Sequence, residues 1–116
     1  MISIAVVEDD QEYQKQLLQY IEQYGKEQEA QYKITVFQNG MNFLDDYKGD
    51  CDLIFMDIAM PHMDGLETAA ALRKRGDNTC LIFITSMAQY ALKGYEVNAF
   101  DFLVKPLAYE LFCIKF

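Results

Sequence analysis

Five short apolar runs punctuate the chain, and each gives way to a stretch with helical spacing or a helix cap. Ile2-Ser3-Ile4-Ala5-Val6-Val7 reads as a first strand and ends on three carboxylates, Glu8, Asp9 and Asp10. Asp10 suits an N-cap, because a short carboxylate can accept from the unpaired amides of a first helical turn. In the helix that follows, Tyr13, Leu17, Ile21 and Tyr24 form one apolar stripe among Gln, Lys and Glu, and Gly25 is expected to end it. Tyr32 to Phe37 is a second strand, rich in β-branched and aromatic residues. Asn39-Gly40 marks a turn, and Met41, Phe43, Leu44 and Tyr47 predict a short amphipathic helix closed by Gly49 and Asp50. The third strand, Cys51 to Met56, holds Leu53-Ile54-Phe55-Met56 and runs straight into Asp57. An apolar run without polar alternation suits a strand buried on both faces, as in a parallel sheet.

Pro61 excludes a helix immediately after Asp57. Asp64 and Glu67 have the spacing of a capping box, so a helix should start near Gly65, carry Leu66, Ala69, Ala70 and Leu72, and stop near Gly76. Cys80 to Ile84 is a second continuous buried strand, followed by Thr85 and Ser86. Ser86 and Gln89 repeat the capping spacing and predict a short helix from Met87 to about Lys93. Phe100 to Val104 is the last strand, before Lys105-Pro106, and Ala108 to Phe116 begins a final helix.

Strand and helix alternate five times, which means an α/β fold: a parallel sheet with helices on both faces. The natural closure is a doubly wound five-stranded sheet in the order 2-1-3-4-5. The winding then reverses between strands 1 and 3, where such folds place their ligands. The strand ends carrying Glu8/Asp9 and Asp57 become neighbours there.

Composition narrows the function. At 116 residues the chain is expected to be one domain. Its net charge of −8 argues against gripping nucleic acid or an anionic membrane by itself. Met1 to Val7 is too short and lacks the basic lead-in of a signal peptide, so a cytoplasmic location is expected. Cys51, Cys80 and Cys113 lack metal-ligand spacing, and free thiols are expected in a reducing cytoplasm. His62 reads as a surface loop residue.

The carboxylates of Glu8, Asp9 and Asp57 repel one another when brought close. A hard divalent cation resolves that conflict, and oxygen ligands with water suit Mg²⁺. Thr85 and Lys105 bring a hydroxyl and an ammonium to the same sheet edge. Together the groups form a receptor for a tetrahedral anion such as a phosphoryl group, with Asp57 as nucleophile. Each residue alone has a bland reading: acids cap helices, Thr sits in strands and Lys is solvated. All of them at successive strand ends make that reading weak.

The motifs Val7-Glu8-Asp9-Asp10, Asp57-Ile58-Ala59-Met60-Pro61-His62-Met63-Asp64-Gly65-Leu66-Glu67, Phe83-Ile84-Thr85-Ser86 and Lys105-Pro106 occur in one order and spacing. On them the chain resembles bacterial response-regulator receiver domains, a flavodoxin-like fold, over essentially its whole length. The resemblance implies that Asp57 accepts phosphate from a sensor histidine kinase. It implies Mg²⁺ held by Glu8 or Asp9, Asp57 and the backbone carbonyl of Ala59. It implies Thr85 and Phe102 as the switch pair, a Lys105-Pro106 bond that is often cis and would aim Lys105 inward, and no enzymatic turnover beyond the domain's own phosphorylation and dephosphorylation. Glu8 stands where many members have Asp, and Phe102 where many have Tyr. Tyr95 to Leu107 looks like regulators that carry a LytTR-type DNA-binding domain after the receiver. Residues 1–116 are therefore read as the receiver, with the effector domain absent from this chain. A homodimer through the last helix-strand-helix face is a further expected partner. The rivals are a haloacid-dehalogenase-type phosphatase, whose nucleophile would sit on strand 1, a phosphate-independent binding module, and a flavin carrier, which would need a Ser/Thr-rich loop after strand 1.

Overall fold

The computed structural model describes residues 2–86, 95–109, 112 and 113. The elements are β1 (Ile2–Val7), α1 (Gln11–Glu27), β2 (Tyr32–Phe37), α2 (Gly40–Asp46), β3 (Leu53–Asp57), α3 (Gly65–Lys74), β4 (Cys80–Thr85), a 3-10 turn (Tyr95–Val97) and β5 (Asp101–Val104). The five strands form one parallel sheet in the order β2-β1-β3-β4-β5, as the alternation predicts. The helix expected over 87–93 lies outside the described residues, as does Gln89 of its expected cap. Of the final helix, Tyr109, Phe112 and Cys113 are described, and the Phe112 amide donates to the Ala108 carbonyl at 3.0 Å. Among the described residues no helix is long and apolar enough to cross a membrane.

Period-two alternation splits the strands between two cores. Ala5, Val7, Ile54, Met56, Leu81 and Phe83 face Phe43 of α2 and Ala69 and Leu72 of α3. Ile4, Val6, Phe55, Ile82, Ile84 and Leu103 face Leu17 and Ile21 of α1 and Phe112 of the C-terminal segment. That segment docks on α1 through aromatic contacts and through the Tyr20 hydroxyl, which donates to the Leu107 carbonyl at 2.9 Å.

Two helix starts follow their sequence signals. Asp10 accepts from the amides of Glu12 and Tyr13 at 2.9 and 3.3 Å. Asp64 and Glu67 close both arms of a capping box. Several boundaries differ from expectation. Asn39-Gly40 is the start of α2 rather than a separate turn, because the Asn39 side chain takes the Asn42 amide at 2.8 Å and acts as the cap. Helix α1 continues past Gly25 to Glu27. The missing Cβ of Gly25 serves packing there: one would lie 2.9 Å from the Ala30 carbonyl and 3.1 Å from the Tyr32 ring. Strand β3 starts at Leu53, two residues late, where the Asp52 carboxylate has taken the Ser3 amide at 2.9 Å. Strands β3 and β4 each run one residue further than the apolar pattern, so Asp57 and Thr85 belong to the ladder. Strand β5 starts at Asp101, one residue late.

Gly65 fixes the distance between α3 and the end of β3. A Cβ there would lie 2.2 Å from the Asp57 carbonyl oxygen and 2.9 Å from the Ile58 Cα, both backbone atoms that cannot swing aside. Gly65→Ala is expected to destabilise the fold by about 1–3 kcal/mol, the usual cost of overpacking. A lower urea midpoint checks this, and an unchanged midpoint would show that α3 can shift freely.

Candidate functional site

The site is built by strand register. Val7 lies opposite Met56 in the β1–β3 ladder, so the next residues, Glu8 and Asp57, emerge side by side. Thr85 lies opposite Val104, and the Lys105 amide donates to the Thr85 carbonyl at 2.7 Å. Val6, Phe55 and Leu103 all face the α1-side core. Two residues on along each chain stand Glu8, Asp57 and Lys105, on the same side by strand alternation.

These groups meet. The Lys105 ammonium lies 3.1 Å from Glu8 Oε2, 3.4 Å from Glu8 Oε1 and 3.4 Å from Asp57 Oδ2. Glu8, Asp9 and Asp57 each place a carboxylate oxygen within 4.8 Å of the others. Glu8 and Asp57 are buried, at 0% and 2% exposure, whereas Asp9 is exposed and forms the mouth. The Lys105-Pro106 bond is cis, as the resemblance implies. Ala59 is exposed, two residues beyond Asp57, in a loop where the preceding carbonyl, Ile58, accepts from the Met60 and Gly65 amides.

Electrostatics make this a strained acidic site. Burial pushes the Glu8 carboxyl up to about 8, and the Asp57 charge adds to that, against the Asp10 amide and Lys105. Burial also raises Asp57; Lys105 and a hydrogen bond with Glu8 oppose the rise, and Asp9 adds to it. Burial works against the Lys105 charge, but Asp57 and Glu8 outweigh it and hold the ammonium protonated.

The donor set fits a hard cation. With Glu8 ionised, three carboxylates against one ammonium leave two negative charges at the site. Glu8 Oε2 and Asp57 Oδ1 are buried with no hydrogen-bond partner among the described residues. The Oε2 atom meets Lys105 as an ion pair without hydrogen-bond alignment. Buried acceptors left so are costly, and an all-oxygen site of this charge suits a divalent ion.

Thr85 is buried at the adjacent strand end, the last residue of β4. Phe83 lies opposite Phe102, and Phe102 packs half-buried against the α2/α3-side core. His62 is exposed, as expected. Clefts of about 670 and 600 Å³, beside α2 and between α1 and β2, contain none of these groups.

Three residues were not legible as parts of the site. Tyr13, read as core, has its ring centre 4.1 Å from the Lys105 ammonium. The buried Gln14 side chain donates to the Glu8 carbonyl. Gly65, read as the start of a helix, lets α3 close on Asp57. The available signal for Tyr13 and Gln14 was their place in the first turn after the Glu8-Asp9-Asp10 run.

The described residues thus form a doubly wound α/β domain with a buried acidic pair, an exposed third carboxylate and an inward lysine at one sheet edge. The chain belongs to the response regulator receiver domain family, whose model matches residues 4–114. It is 31% identical over 110 residues to the sensory transduction protein LytT of Bacillus anthracis, covering 95% of this chain and 44% of that protein. It is 34% identical over 109 residues to the transcriptional regulatory protein PcoR of Escherichia coli, covering 91% of this chain and 46% of that protein. The chain therefore spans less than half the length of these two relatives. Among solved structures it is similar to the response regulator TrrA of Thermotoga maritima in complex with Mg²⁺-BeF, with a TM-score of 0.83 and 28% identity over 99% of this chain and 96% of that one. The family places the chain in two-component phosphorelay signalling.

The Glu8 carboxyl binds its proton more tightly when folded than when unfolded. Its contribution to stability is therefore present below a pH of about 4.5 and is lost as the pH climbs through about 8. Without divalent ions, Glu8→Gln is expected to melt above wild type at about pH 8, by a difference worth more than about 1 kcal/mol that shrinks toward about pH 5. Thermal melts across that range check the sign.

Proposed function

We propose that this receiver accepts a phosphoryl group on Asp57 from a phosphohistidine of a sensor histidine kinase. The observation that carries the reading is the buried, unpartnered Asp57 Oδ1 beside Glu8, Asp9 and Lys105. Asp57 attacks phosphorus, an O–P bond forms as the P–N bond to histidine breaks, and the departing imidazole keeps the P–N electron pair. Lys105, already within 3.4 Å of Asp57, exchanges carboxylate oxygen for phosphoryl oxygen as the acyl phosphate forms. Mg²⁺, held by Glu8 or Asp9, Asp57 and the Ala59 carbonyl, would supply positive charge to the same oxygens. The domain thereby promotes its own phosphorylation and dephosphorylation and turns over no other substrate.

The output runs through Thr85 and Phe102. Taking an equilibrium from 1:99 to 99:1 needs about 5.5 kcal/mol of differential stabilisation. A hydrogen bond from Thr85 to a charged phosphoryl group contributes about 1.5–3 kcal/mol, so Lys105 and the metal carry the remainder. Phe100 and Val104 are 66% and 41% exposed on the β5 edge, which supports a homodimer on that face. The likeness to LytT and PcoR supports a cytoplasmic transcription regulator whose DNA contacts come from an effector domain, of LytTR type on the sequence of residues 95–107.

Intact mass after incubation with Mg²⁺ and acetyl phosphate is expected to show one added phosphoryl group. The adduct should disappear with EDTA and be absent from Asp57→Asn. No adduct on folded, Mg²⁺-saturated protein would overturn the reading. Phe102 has no hydroxyl to hold an inward or outward rotamer, so Phe102→Tyr is expected to sharpen the switch. NMR showing an unchanged population of the activated form in that variant would count against a weak gate.

A further inference from the structure

We propose that Tyr13 is a positioning residue for Lys105, its ring holding the ammonium in the phosphoacceptor site while the carboxylates around it change partners. The inference rests on the function proposed above. The Lys105 ammonium lies 4.1 Å from the ring centre, inside the range at which a cation is drawn to an aromatic face. Among the described residues its other charged contacts are the Glu8 and Asp57 carboxylates at 3.1 and 3.4 Å.

Those two contacts are exchangeable. When Asp57 carries a phosphoryl group, its carboxylate charge is lost to the acyl phosphate. When a divalent cation enters, Glu8 has a second cation to serve. The Tyr13 face ligates no metal and accepts no phosphate, so of these three contacts it is the one that persists through every state. Lysine is long and flexible, and a group held in place before reaction loses less freedom during it.

The fold fixes the ring where it is needed. Tyr13 stands in the first turn of α1, directly after the acidic end of β1. The Asp10 carboxylate accepts from the Tyr13 amide at 3.3 Å, and Gln14 donates to the Glu8 carbonyl. Helix start and strand end are thereby joined at two points. The half-buried ring packs on the α1-side core. Beside it opens a cleft of about 300 Å³ lined by Glu12, Tyr13, Gln16 and Pro106. Without the ring, Lys105 gains that cleft and the Glu12 carboxylate as an alternative resting place.

The test compares wild type, Tyr13→Phe and Tyr13→Leu, with Tyr13→Met in place of the last should it fail to fold. In metal-free protein, NMR should show the Lys105 Hε protons shifted upfield by the ring in wild type and Tyr13→Phe, and not in Tyr13→Leu. The initial rate of phosphorylation by acetyl phosphate with Mg²⁺ should fall about 5- to 30-fold in Tyr13→Leu and stay within about twofold in Tyr13→Phe. An unshifted Lys105 in wild type, a wild-type rate in Tyr13→Leu, or equal losses in both variants would each overturn the proposal. A wild type that takes no phosphoryl group would sink the function itself, and the ring-current comparison would still decide whether Tyr13 holds Lys105.

Discussion

The burial of two carboxylates around one ammonium is the constraint on which the site depends. Removing Glu8 and Asp57 from water is costly, and Lys105 at 3.1 and 3.4 Å offsets only part of the cost. The remainder shows as raised carboxyl pKa values and as two acceptor atoms without donors among the described residues. A protein selected for stability alone would fill such a place with apolar side chains. Here the unsatisfied charge leaves the domain with a standing affinity for positive charge and for whatever relieves Asp57 of its own.

The sheet makes that arrangement unavoidable. Parallel strands deliver their last residues to one edge, and the β2-β1-β3-β4-β5 order puts the ends of β1 and β3 next to each other. Alternation then sorts the delivered side chains. Glu8, Asp57 and Lys105 each follow by two a residue on the α1 side, Val6, Phe55 and Leu103, while Phe102 packs on the side of Phe83.

Tight backbone contacts keep the edge in register. Gly65 brings α3 against the Asp57 carbonyl, and Asp64 with Glu67 caps the same helix. At the far end of the sheet, Arg73 donates to the carbonyls of Asp77, Thr79, Val97 and Asn98, tying α3 to the segments that lead into β4 and β5. These contacts carry no chemistry, but the distances at the site depend on them.

The sequence by itself determined the parallel α/β class, the strand order and the placement of Glu8, Asp9, Asp57, Thr85 and Lys105 at the strand ends. Continuous apolar runs, caps and strand-end residues are local signals, each readable within about ten positions. Its errors were local too: Asn39 serves equally as turn or cap, and Gly25 ends a helix or merely clears space, according to what packs against it. Only the tertiary structure decided that Glu8 is buried and Asp9 exposed, and that Tyr13 lies over Lys105. Those facts join residues up to 97 positions apart, as in the Lys105–Glu8 contact. Burial and contact belong to the packed chain, because the same carboxylate is solvated or desolvated according to which strand end arrives beside it.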